Sequence, residues 1–133
     1  DVSVTGVSST GATGSVTPLS NTFAVTVVST GYGNKYYIDG VQQPTLTLTE
    51  SNTYRFDQSD SSNGTGGGHP LRFSTTSDGT HGGGTQYTTG VVTSGTPGNA
   101  GAYTEITVAI GAPTLYYYCT NHSGMGGQAN TPS

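Results

Sequence analysis

Charge is scarce in this sequence. Charged residues make up 8% of the 133, and three basic side chains (Lys35, Arg55, Arg72) face seven acids, a net charge of −4. A phosphate backbone is gripped by clustered Lys and Arg, so the composition argues against nucleic acid as a partner. Tryptophan is absent, and the single cysteine, Cys119, excludes an intrachain disulfide. No apolar run approaches the ~20 residues needed to cross a bilayer as a helix, so no membrane span is expected. No charged-then-apolar signal segment opens the chain either. The sequence begins at Asp1 rather than Met, which suggests a processed product or a piece of something longer. No Ser-His-Asp set and no paired carboxylates are legible, so the chain is not expected to be an enzyme.

What fills the space is glycine (22 residues), Ser and Thr, with nine Tyr and three Phe in short alternating runs. Hydrophobic residues are 30%, well below the usual share of roughly 45–50%. Disorder goes with high net charge and few aromatics, the reverse of this composition. The length suits one modest core. Residues 1–20, with Thr-Gly recurring three times, are expected to form a low-complexity leader, either a linker or a strand lent to a neighbour. Residues 21–133 are expected to form the domain proper.

Within that domain the period is two, not 3.6. Residues 21–28 (NTFAVTVV) alternate Phe23, Val25 and Val27, and residues 34–39 (NKYYID) pair Tyr36 with Ile38. Leu46 and Leu48 alternate in TLTLT. Tyr54 and Phe56 alternate in NTYRFD, which sends Arg55 outward. A polar loop over 58–68 leads into HPLRFST, where His69, Leu71 and Phe73 share a face. Pro70 removes a ladder hydrogen bond, so this strand should begin at an edge or a bulge. A long Gly/Thr/Ser insertion, 76–102, reads as an excursion away from the core. Ile106 and Val108 then mark one strand, and Leu115, Tyr117 and Cys119 mark another, with Tyr116 and Tyr118 on its opposite face. About seven such strands indicate an all-β sandwich.

The chemistry is concentrated in CTNHSGMG, where His122 and Met125 follow Cys119 at +3 and +6. At this composition chance produces that spacing in roughly 2 of 10,000 cases. A thiolate, two imidazoles and a weak thioether form the donor set of a copper electron-transfer site. The loop is too short to supply the second imidazole, which must come from another strand. His69 is the natural donor, because its alternation puts it on the inward face. Zinc is the competing metal, but it prefers several thiolates or imidazoles and Met is a poor ligand for it. One copper ion is therefore the expected cofactor, held by His69, Cys119, His122 and Met125.

The order His69, Cys119, His122, Met125 resembles that of the cupredoxins, and the short ligand loop is most similar to the amicyanin spacing. The resemblance covers roughly residues 22–127, with 76–102 departing from small soluble cupredoxins. It implies a Greek-key β-sandwich with type 1 copper at one end. His69, Cys119 and His122 would be equatorial ligands, Met125 the axial one, and His122 the electron exit at the surface. The residue after the first His ligand usually offers a backbone N–H to the thiolate. Pro70 has none, which departs from the pattern. The runs NKYYIDGVQQPTLTL, HPLRFSTTSDGTHGGG and YYYCTNHSGMGG further resemble a domain of large virion structural proteins of marine tailed phages. The leader VTGVSSTGATGSV is similar to repeats beside that domain.

Two functions follow from the resemblance. One is a module of a virion appendage, in contact with other virion or fibre subunits, with copper as staple or redox centre. The other is a soluble or surface-attached blue-copper electron carrier with a redox partner. The expected location is a virion, or an extracellular or periplasmic surface. His81 reads as an exposed loop residue without a role. Asp57 and Asp60 make only a weak calcium pattern.

Overall fold

A computed structural model describes residues 21–133. The leader expected over 1–20 lies outside the described residues. Among the described residues, ten strands make up two sheets, one of four strands and one of six. In chain order they are β1 Thr22–Thr30, β2 Gly33–Ile38, β3 Val41–Gln42, β4 Leu46–Thr47, β5 Thr53–Asp57, β6 Leu71–Ser74, β7 Val91–Ser94, β8 Tyr103–Thr107, β9 Leu115–Cys119 and β10 Gly127–Asn130. The larger sheet runs β3-β2-β1-β5-β8-β7 and the smaller β4-β10-β9-β6. Both are mixed: β1–β5 and β10–β4 are parallel, and the other pairs are antiparallel.

The inward positions of both sheets meet in one apolar cluster, the physical outcome of period-two patterning. Val25, Tyr36, Ile38, Tyr54, Phe56 and Ile106 face it from the larger sheet. Leu46, Leu71, Phe73, Leu115, Tyr117 and Cys119 face it from the smaller. Phe56 meets Phe73 edge-on with centroids 5.4 Å apart. Arg55 points outward, as expected, pairing with Glu105 at 2.9 Å and lying over the Tyr103 ring.

The polar loop of 58–68 is more ordered than its composition implies. It forms a 3-10 segment over Ser61–Gly67, kinked at Thr65 and Gly66 and capped by Asp60, whose carboxylate accepts from the Ser62 amide. Inside it Asn63 is fully buried. The insertion of 76–102 also departs from its reading as an excursion. It supplies β7 to the larger sheet and bridges Tyr87 to Phe73. It also lays a second 3-10 turn, Gly79–Gly82, on the outer face of the smaller sheet. That turn covers Tyr118, so both faces of β9 are buried there. Gly79 makes the fit possible: its φ is +54°, and a Cβ on it would sit 2.5 Å from the Tyr118 ring.

Candidate metal centre

The smaller sheet sets up the site through one register. Strands β6 and β9 are antiparallel with Leu71 opposite Cys119, so the start of one meets the end of the other. His69, two residues before Leu71, and His122, three after Cys119, therefore emerge at the same end. The result is a cluster of His69, Cys119 and His122 whose donor atoms all lie within 4.8 Å of one another. His69 and Cys119 are fully buried, and His122 is half-buried.

The distances pass a simple test for a metal. Metal–N and metal–S bonds of about 2.0 and 2.3 Å, opened to a tetrahedral or trigonal angle, put N and S about 3.5–3.7 Å apart. The Cys119 Sγ lies 3.5 Å from His122 Nδ1 and 3.8 Å from His69 Nδ1. The two imidazole centroids are 4.5 Å apart. This trio could hold a metal ion, which is what the sequence spacing predicts. Met125, the fourth predicted donor, is fully buried at the far end of the ligand loop. Its carbonyl accepts from the Tyr36 amide at 3.0 Å, tying the loop to β2.

The tautomer of His69 follows from its neighbours. Thr65 Oγ1 donates to the Ser62 carbonyl at 3.0 Å, leaving its lone pairs to accept from His69 Nε2 at 3.2 Å. The ring proton therefore sits on Nε2, and the Nδ1 lone pair faces the thiol. Burial, and after it the positive charge His122 can carry, hold His69 below the ordinary imidazole pKa. Its neutral, metal-binding form is thus the favoured one. The first 3-10 turn covers the pair: a Cβ on Gly66 would stand 3.7 Å from His122 Nε2.

A buried polar network fixes the backbone of His69. Its amide donates to the Asn63 carbonyl at 2.8 Å. Its carbonyl accepts from Tyr36 Oη at 2.6 Å and from Gln58 Nε2 at 2.7 Å. Gln58 Oε1 in turn accepts from the Leu71 amide at 2.9 Å. One side chain thus bridges Pro70 by bonding the residue on either side of it, standing in for a neighbouring strand. As expected from Pro70, β6 is the edge of its sheet among the described residues. Asn63 completes the network, accepting from Gln58 at 3.0 Å and donating to the Val25 carbonyl at 2.8 Å. Burial, then the neighbouring Cys119 thiol, hold the Tyr36 phenol well above its ordinary pKa, so it remains a donor.

Sequence reasoning missed Gln58, Asn63 and Tyr36 as supports. Gln58 could have been found, because it continues the inward alternation of Tyr54 and Phe56. Asn63 carries no such signal. His81 also has a role the sequence did not reveal: its Nε2 donates to the Cys119 carbonyl at 2.8 Å. Asp57 and Asp60 are engaged locally, accepting from the Ser59 and Ser62 amides.

Comparison with protein-family models, curated proteins and solved structures found no match to this chain. Among the described residues, no helix is long and apolar enough to cross a membrane.

Proposed function

We propose that this chain is a cupredoxin-like, non-enzymatic domain that holds one copper ion of the type 1 class. The observation that carries this reading is the buried trio of His69, Cys119 and His122 at metal-spanning distances. Met125 would be a weak fourth donor in this reading, which the +6 spacing and its burial suit. Bound copper supplies reversible one-electron chemistry. His69, Cys119 and His122 would hold the ion, with burial keeping water from the Cys119 sulfur and favouring neutral His69.

The setting we infer is a structural module of a phage virion appendage, supported by the sequence runs that resemble such proteins. Its partners would be other virion or fibre subunits. Here the ion acts as a staple as much as a redox centre. His69 and Cys119 stand 50 residues apart in the chain, so a shared ion cross-links the ends of β6 and β9 in the folded state alone. A second reading, a surface-attached or extracellular electron carrier, is favoured by His122, the most exposed of the three.

The test is a visible and EPR spectrum of metal-free protein given Cu(II), alongside Cys119→Ala. An intense thiolate-to-copper band with narrow hyperfine splitting, lost in the variant, is the expected result. No band, with unchanged thermal stability, would end the copper reading. An anaerobic redox titration then separates staple from carrier: a carrier must cycle reversibly, whereas a staple need only raise the melting temperature.

A further inference from the structure

The insertion of 76–102 carries chemistry that the ligand set does not explain. Its first part, residues 76–84, is anchored beside β6: Ser74 Oγ donates to the Thr85 carbonyl at 2.6 Å and accepts from the Thr76 amide at 3.1 Å. Between those anchors the segment reaches the ligand loop twice. Asp78 Oδ1 accepts from the amide of Gly124, the residue just before Met125, at 3.0 Å. His81 Nε2 donates to the carbonyl of Cys119 at 2.8 Å. The His81 ring also meets Tyr118 edge-on, at 6.2 Å and 82°.

On the opposite side the same loop is held by β2 and the turn after β3. Lys35 Nζ donates to the Gly124 carbonyl at 2.8 Å, and Gln43 Nε2 donates to the Gly126 carbonyl at 2.8 Å. Gly124 therefore has its amide and its carbonyl bound by side chains from two separate elements. A loop of small and polar residues has little side-chain packing with which to fix its own shape. Backbone polar groups are the handles that remain.

We propose that residues 76–84 form a strap that presets the ligand loop, with Asp78 and His81 as positioning residues that fix where Cys119, His122 and Met125 point. The inference rests on the metal-binding reading above. Neither side chain is offered as a ligand; each acts through the backbone of the loop. Outer partners of this kind change metal affinity by about 10- to 100-fold when removed.

The experiment compares wild type with Asp78→Ala/His81→Ala and with Asp78→Asn/His81→Gln, which keeps an acceptor and a donor in place. Cu(II) and Co(II) affinities are measured by chelator competition, with the thiolate-to-metal band recorded for each. Expected is a 10- to 100-fold loss of affinity and a shifted band in the alanine pair, largely restored in the conservative pair. The metal-free alanine pair should keep the far-ultraviolet circular dichroism of wild type and lose hydrogen-exchange protection at the Gly124 amide. If the alanine pair fails to fold, His81→Ala alone carries the same comparison. Wild-type affinity and an unshifted band in a folded variant would overturn the strap while leaving the metal site standing. A wild type that binds neither metal would overturn both.

Discussion

Gln58 is a single neutral side chain that performs the work of a missing strand. It bonds the Leu71 amide and the His69 carbonyl across a proline that can offer nothing itself. Gln58→Ala leaves the Leu71 amide and Asn63 Oδ1 buried and without their partner, at about 1–3 kcal/mol each, while the His69 carbonyl keeps Tyr36 Oη. Chemical denaturation should therefore show a loss of about 2–4 kcal/mol. His69 titrates at the same scale. Its folded pKa lies below the ordinary value, so protons bind the unfolded chain more readily. The stability this contributes is complete above the unfolded imidazole pKa of about 6.5. It is lost as pH falls through the lower folded value. Metal-free protein should show a falling melting temperature below about pH 6.5, and His69→Gln should flatten that part of the profile. Met125→Leu tests the axial assignment: copper binding should persist while the reduction potential shifts.

At the scale of elements, alternation was readable wherever one face of a strand is dry and the other wet. Val25, Tyr36, Ile38, Phe56, Leu71 and Phe73 are buried as their period demands. The trio of His69, Cys119 and His122 was readable too, since two of its members are written in one short loop and the third in the inward alternation of His69. The two 3-10 turns were not. Apart from His81, both are built from Gly, Ser, Thr and Asn, whose order comes from backbone hydrogen bonds and close approach, and neither leaves a periodic trace. Tyr118 shows the consequence. Sequence alternation assigns it to the outer face, yet it is fully buried because Gly79 presses on its ring. Gly79→Ala should force the turn off that ring and cost about 1–3 kcal/mol, measured as a lower midpoint in urea. Exposure of Tyr118 to solvent should accompany it.

At the scale of the molecule, stability should depend on the ion. A ligand that binds only the folded state at 100 times its dissociation constant adds about 2.7 kcal/mol. For a domain of this size that is roughly 10 °C in melting temperature. Scanning calorimetry with Cu(II) and after chelation reads it directly, and Cys119→Ala should abolish the difference.

The pairing of β6 with β9, rather than with a strand nearer in sequence, has a consequence in time. His69 precedes Cys119 by 50 residues, and ribosomes add about 5–20 residues per second. Roughly 3–10 s therefore separate the synthesis of the first imidazole from that of the thiol. Throughout that interval the growing chain offers no complete coordination sphere. On the proposed reading the centre could mature only once the loop bearing Cys119 and His122 has emerged, which would make metal loading a late, finishing step in the life of the polypeptide.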